Sequence, residues 1–275
     1  MFTLASLSAS PSPSPALHHL PRRVLARVVP VGVAVVVAGS VGAWYRDVHG
    51  IVEQDAGRIA LTVIRLLDPD REGNLWSWYS VTLLLALAVA LGVGALQRTG
   101  RRRRAYLVLT GVAVFLSADE GAQLHETLSL VGNFVLGSGG PTFAWVLPGA
   151  LLAAAVAVGL VVVARDVEPR LRLRLVLAGL VFLTGALGVE SVGGSFAEGL
   201  VMGQDVPPSP YYVLVALEET LELLGASLAL WAALHAVVDP RPVAPAVAPG
   251  STSGPASAPT DPARPADAGT AVAGR

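Results

Sequence analysis

Six apolar segments, at about residues 24–45, 79–97, 105–127, 145–164, 172–193 and 211–238, constrain this chain more than anything else in it. Each is close to the ~20 residues that cross a hydrocarbon core about 30 Å thick. Inside a bilayer the backbone finds no water to bond, so such segments must be helices that satisfy their own N–H and C=O groups. Composition agrees: 53% of the 275 residues are hydrophobic and only 14% are charged, against about 25% charged in a soluble domain. The expected fold is all-α, a polytopic bundle of six transmembrane helices over residues 22–238. The flanks 1–21, rich in Ser and Pro, and 239–275, rich in Pro, Ala, Gly and Thr, carry no periodic apolar pattern and are expected to be disordered tails.

Charge orients the bundle. Arg22, Arg23 and Arg27 precede the first segment, Arg98 and Arg101 to Arg104 join the second to the third, and Arg165, Arg170, Arg172 and Arg174 join the fourth to the fifth. The positive-inside rule places these loops, and both termini, in the cytoplasm. Aromatics gather at the opposite ends: Trp44 and Tyr45, Trp76, Trp78 and Tyr79, Phe143 and Trp145, Tyr211 and Tyr212. That is the pattern of an interfacial belt. The Arg pair before an apolar run ending in Val41-Gly42-Ala43 also fits a cleavable signal sequence, which would leave five helices in the same orientation. Between the first two segments, Val52, Ala56, Ile59, Ala60, Val63, Ile64 and Leu67 recur at helical spacing, so an amphipathic helix is expected to lie on the outer surface.

All 19 basic residues are Arg, a bias that fits a GC-rich bacterial coding sequence, and the expected location is a bacterial cytoplasmic membrane. Zero Cys excludes disulfides and thiolate ligands, so any metal would need carboxylate and imidazole. A net charge of −1 offers nothing to nucleic acid, and membrane lipids are the partners expected.

Against this apolar background stand acids: Asp119, Glu120 and Glu126 on the third segment, Glu190 on the fifth, and Glu218, Glu219 and Glu222 on the sixth. A carboxylate at membrane depth costs roughly 2.5–3.5 kcal/mol on insertion scales, which makes it a functional-site hypothesis by default. At about 1.5 Å per residue, Asp119 and Glu190 fall in the outer halves of their helices, and Glu218 to Glu222 lie roughly 10–16 Å below the outer end of theirs. Helices running in opposite directions thus bring their acids to similar depth. Asp119 and Glu126 are two turns apart with Gln123 between them, and Glu218, Glu219 and Glu222 form one acidic face. So many carboxylates cannot all stay ionised at low dielectric; either protons are shared or a cation sits among them. Gly185, Gly188, Gly193, Gly194 and Gly225 beside the acids permit close helix approach.

Other motifs fail on spacing. His125-Glu126 opens like the zinc-protease pattern, but position 129 is Ser where the second His is needed. No Glu-x-x-His pair of a di-iron bundle is present. The stretch Asp68-Pro69-Asp70-Arg71-Glu72-Gly73 imitates the start of a calcium loop, yet its twelfth position is Tyr79 rather than a bidentate Glu, so it reads as a turn.

The run from Ser117 through Asp119, Glu120 and His125 to Glu126, the run Leu217-Glu218-Glu219-Thr220-Leu221-Glu222-Leu223-Leu224-Gly225, and the stretch Glu72 to Ser80 resemble a group of uncharacterised bacterial multi-spanning membrane proteins over about residues 68–237. The resemblance supports the choice of residues and implies no mechanism. Three functions follow from the residues themselves. In the first, Asp119, Glu126, Glu190, Glu218, Glu219 and Glu222 bind or conduct a cation or proton. In the second, His125, Asp119, Glu219 and Glu222 hold a divalent metal in an enzyme acting on a lipid-like substrate. In the third, the acids form a buried polar network in a non-catalytic scaffold.

Overall fold

The computed structural model describes residues 18–51, 53–71, 73–137, 144–201 and 206–238, with side chains left aside at 53–56 and 198–201. Most of the two expected tails, at 1–17 and 239–275, lies outside the described residues. Among the described residues the chain is all-α with no strand: α1 Leu20–Val48, α2 Glu53–Leu67, α3 Leu75–Leu96, α4 Gly100–Ala122, a 3-10 turn His125–Leu128, α5 Ser129–Leu136, α6 Val146–Ala164, α7 Pro169–Leu183, a π turn Thr184–Val189, α8 Glu190–Val201 and α9 Ser209–Val238. Six helices are long and apolar enough to cross a membrane: α1, α3, α4, α6, the continuous α7–π–α8 rod to Ala197, and α9. The protein is an integral membrane protein in architecture, and its exposed Leu, Val and Phe side chains face lipid.

Helix α9 is the axis around which α1, α3 and α7 pack. Its small residues make this feasible, because Gly225, Ala226, Ala229, Ala232 and Ala233 are all buried and let neighbouring backbones approach. A Cβ at Gly225 would lie 2.7 Å from Phe182 Cβ and 2.8 Å from the Ala178 carbonyl oxygen, so α7 and α9 touch backbone to backbone. One turn and a half further along the pair, a Cβ at Gly185 would lie 2.7 Å from the Glu218 carbonyl oxygen. On the other side of α9, Leu223 fills the space left by Gly32 of α1, with Tyr79 of α3 against the same glycine. Helices α3 and α4 form a hairpin in which Tyr106 lies over Gly94. Helix α2 is kinked at Gly57 (φ 75°) and folds back along α1, with Ile64 against Gly42.

Two segments depart from the continuous helices expected. The third was expected to run to about 127, but α4 ends at Ala122 because Gln123 adopts the left-handed conformation (φ 55°, ψ 40°), a helix-terminating geometry. The Asp119 carboxylate accepts the His125 backbone N–H at 2.7 Å, which takes up a donor freed by the turn. The fifth span was expected as a plain helix over 172–193, and it holds a π turn between Thr184 and Val189. There the contact of Gly185 with α9 displaces one side of the helix, and π turns concentrate at functional positions.

At the end of the bundle carrying the arginine loops, a polar clamp ties four elements. Arg98 is 8% exposed. It donates to Glu168 Oε1 at 2.8 Å, to the Gly94 carbonyl at 2.8 Å and to the Ala236 carbonyl at 3.1 Å. Its guanidinium also stacks 4.0 Å from the Tyr106 ring centroid, and the Tyr106 hydroxyl donates to Glu168 Oε2 at 2.8 Å. Burial opposes ionisation of Glu168, but hydrogen bonds from its own backbone, Tyr106 and Arg98 outweigh it and hold the carboxyl below its ordinary range. A folded-state pKa below the unfolded one adds stability at neutral pH that is lost as pH falls through the folded value. Glu168→Gln is therefore expected to cost about 1–2 kcal/mol at pH 7 in detergent melting experiments. The gap to wild type should close under acid conditions; a gap independent of pH would refute the assignment.

Candidate acidic site at the aromatic end

Asn74 starts the site by capping α3: its side-chain oxygen accepts the Ser77 N–H at 3.0 Å, a standard N-cap bond. That cap places Trp76 in the first turn, 1% exposed and stacked on Tyr79 with centroids 5.6 Å apart. The Trp76 indole N–H donates to Glu219 Oε2 of α9 at 2.7 Å. On the opposite side, the Trp145 indole N–H, just before α6, donates to Glu190 Oε1 of α8 at 2.8 Å. Two tryptophans thus each hold one glutamate of another helix. Buried indoles seek such acceptors, and a carboxylate makes the bond charge-assisted.

Between these two bonded glutamates lie Glu218 and Glu222, one helical turn apart on α9. Among the described residues neither makes a hydrogen bond or ion pair to the protein. Gly185 faces both, and a Cβ there would lie 3.1 Å from Glu222 Cγ. Glu218 interacts electrostatically with Glu190, Asp70 and Glu120, and Glu222 with Glu219, Glu120, Glu218 and Glu190. Glu120 reaches this group because the α3–α4 hairpin sets its register: Ser117 donates to the Val81 carbonyl at 3.0 Å, so the end of α4 stands beside the start of α3. Five glutamates from α4, α8 and α9 and one aspartate from the α2–α3 connection therefore form one electrostatically interacting group.

The remaining sequence-derived candidates fall elsewhere. Asp119 pairs with His125, Oδ2 to Nδ1 at 3.2 Å, and the His125 ring tilts against Trp145 with centroids 4.7 Å apart. This pair adjoins the Trp145–Glu190 bond. Glu126 is exposed, and the expected two-turn stripe of Asp119, Gln123 and Glu126 does not form, because the helix ends before it. Of the metal set His125, Asp119, Glu219 and Glu222, the first two bond each other and Glu219 is bonded to Trp76. Among the described residues no three His, Asp or Glu side chains are grouped to hold a metal ion.

Six polar residues that sequence reasoning did not assign to the site complete the mouth. Arg46 bridges Asp47 (Nε to Oδ1, 2.5 Å) and Asp68 (Nη1 to Oδ2, 2.9 Å), and Asp68 is 2% exposed. The Tyr212 hydroxyl donates to Asp47 at 3.0 Å and that of Tyr211 to Asp70 Oδ1 at 2.6 Å. Both tyrosines read as belt residues in sequence, and Asp68 and Asp70 as parts of a failed calcium loop. The signal that could have found them was a charged pair, Arg46-Asp47, at the end of a span and facing a second acidic turn. Asp70 is open to solvent on one side and crowded by protein on the others. That burial, opposed by the Tyr211 bond, pushes its carboxyl up to about 6.

An all-α membrane protein with carboxylates converging at one end is the class that fold and site define. Residues 27–238 match the family described as Domain of unknown function (DUF8692), and the chain belongs to it. No curated protein and no solved structure matches the chain at a significant level.

A raised folded-state pKa means that the native protein keeps a proton the unfolded chain has already lost, so Asp70 favours folding at acid pH and that share disappears as pH rises from about 4 through about 6. Asp70→Asn keeps the acceptor for Tyr211 and removes the titration. Its melting temperature is expected to lack the decline that wild type shows across this interval; identical pH profiles would count against the crowded environment described.

Proposed function

We propose that the protein binds or passes a proton or a small cation at this acidic site, as a multi-pass protein of a bacterial cytoplasmic membrane. The observation that carries the reading is the pair Glu218 and Glu222, left without hydrogen-bond partners among the described residues while four further carboxylates interact with them. At low dielectric such a group holds its charge only if protons or a cation offset it. Glu219 and Glu190 supply the bonded walls, and Glu120 adds charge from α4. The arginine loops set the orientation by the positive-inside rule, with both termini in the cytoplasm and the acidic site on the extracytoplasmic side. A π turn opposite the pair widens the helix at the height where a ligand would sit.

The test uses the full chain in lipid vesicles. Wild type is expected to exchange protons when cations are titrated, or to gain thermal stability from them, as any ligand of the native state confers. The double variant Glu218→Gln, Glu222→Gln should lose both responses while keeping its helical content. Equal responses in the two proteins would sink the reading and leave the carboxylates as a packing network.

A further inference from the structure

We infer that Asp70 is the entry carboxylate of this site and that its hydrogen bond with Tyr211 latches the mouth, so that the proton or cation reaches Glu218 and Glu222 from the aromatic end alone. The inference rests on the functional reading above and adds to it a route.

Helix α9 extends beyond the start of α3. Trp76, the second residue of α3, is level with Glu219, so residues 209–218 rise roughly 14 Å past that point. Residues 68–71, 73 and 74 stand at this height, and most of them are firmly held. Asp68 is buried and bonded to Arg46, and the Asn74 amide donates to the Asp68 and Arg71 carbonyls at 2.5 and 2.6 Å. Asp70 differs: its side chain is open to solvent and bonded to the neutral Tyr211 hydroxyl, with Asp68, Arg71, Arg46 and Glu218 as its charged neighbours. Tyr211 stands two turns from Glu218 and three from Glu222, on one stripe of α9, and interacts electrostatically with Glu218 and Glu190. Releasing this one hydrogen bond would open that stripe to water, whereas the rest of the mouth stays braced by ion pairs.

The other direction is closed. Beyond Glu222, the face of α9 through Leu223, Ala226, Ala229, Leu230 and Ala233 is buried and apolar apart from Ser227. Gly225 brings α9 into backbone contact with α7 at the first turn of that stretch.

The chain has no Cys, so a single introduced thiol reports without background. Glu218→Cys is placed in vesicles and treated with cationic and anionic methanethiosulfonates from each side, with Ile59→Cys on the exposed face of α2 marking the aromatic side. Labelling is expected from the aromatic side only, faster with the cation. That preference should fall roughly threefold to tenfold when Asp70→Asn is added, as loss of one focusing charge requires. Adding Tyr211→Phe should speed labelling by both reagents. Glu222→Cys, one turn deeper, serves as a second reporter should the first variant misfold.

Labelling from the arginine side, indifference of both reporters to Asp70→Asn and Tyr211→Phe, or no labelling of either reporter would overturn the route. Ion or proton uptake lost in the double glutamine variant, together with labelling indifferent to Asp70, would overturn the route and leave the functional reading. The expected labelling pattern without any uptake would instead overturn that reading and with it the cargo named here.

Discussion

Backbone contact between α7 and α9 is the constraint on which the rest of the molecule turns. Gly225 and Gly185 bring the two helices together at two heights, and the acids lie at the upper one. In a bilayer no hydrophobic force pulls helices together, so close packing of small residues supplies much of the attraction. That packing covers part of the face of α9 carrying Glu218 and Glu222. Polar side chains then sit against protein and the mouth instead of hydrocarbon, where an unpaired carboxylate would be far more costly. The π turn belongs to the same contact, since the glycine pressed against Glu218 lies within it.

The two ends of the bundle handle charge in opposite ways. At the arginine end, Arg98, Glu168 and Tyr106 match donor to acceptor, and the result is a clamp across α3, α4, α7 and α9. At the aromatic end, a balanced outer ring of Arg46, Asp47, Asp68 and Arg71 encloses an inner group that is acidic throughout. A purely structural network would be expected to resemble the first arrangement, because half-satisfied polar groups weaken a core. The excess of carboxylates beside that neutralised rim departs from such matching, a local imbalance that the rest of the scaffold must offset.

The spans were legible because hydropathy at the length of a bilayer leaves one solution, and the acids stood out because apolar surroundings make each one costly. The convergence of Glu190 with α9 was readable in part, from depth along antiparallel helices. What escaped were features set by a few side chains against a regular background. Gln123 carries no strong terminating signal, so its left-handed turn, with Asp119 capturing the freed His125 N–H, is a local event that periodicity does not encode. The π turn likewise follows from a contact with α9. Trp76 and Trp145 were placed in an interfacial belt by composition, although each donates to a glutamate of another helix. A belt assignment and a hydrogen-bond assignment use the same residue type at the same height, and only the partner helix distinguishes them.

That double role bears on how the inner carboxylates divide their work. A hydrogen bond from an indole N–H to a carboxylate fixes its rotamer, so Glu190 and Glu219 are held in place. Glu218 and Glu222 lack such donors among the described residues and lie along one stripe of α9. Under the proposed function, the bonded glutamates would attract a ligand and those without fixed donors would enclose it. On α9 the division is plain: Trp76 holds Glu219, while the adjacent Glu218 has no such donor among the described residues. The division of donors, more than the number of acids, is therefore the feature on which the proposed reading rests.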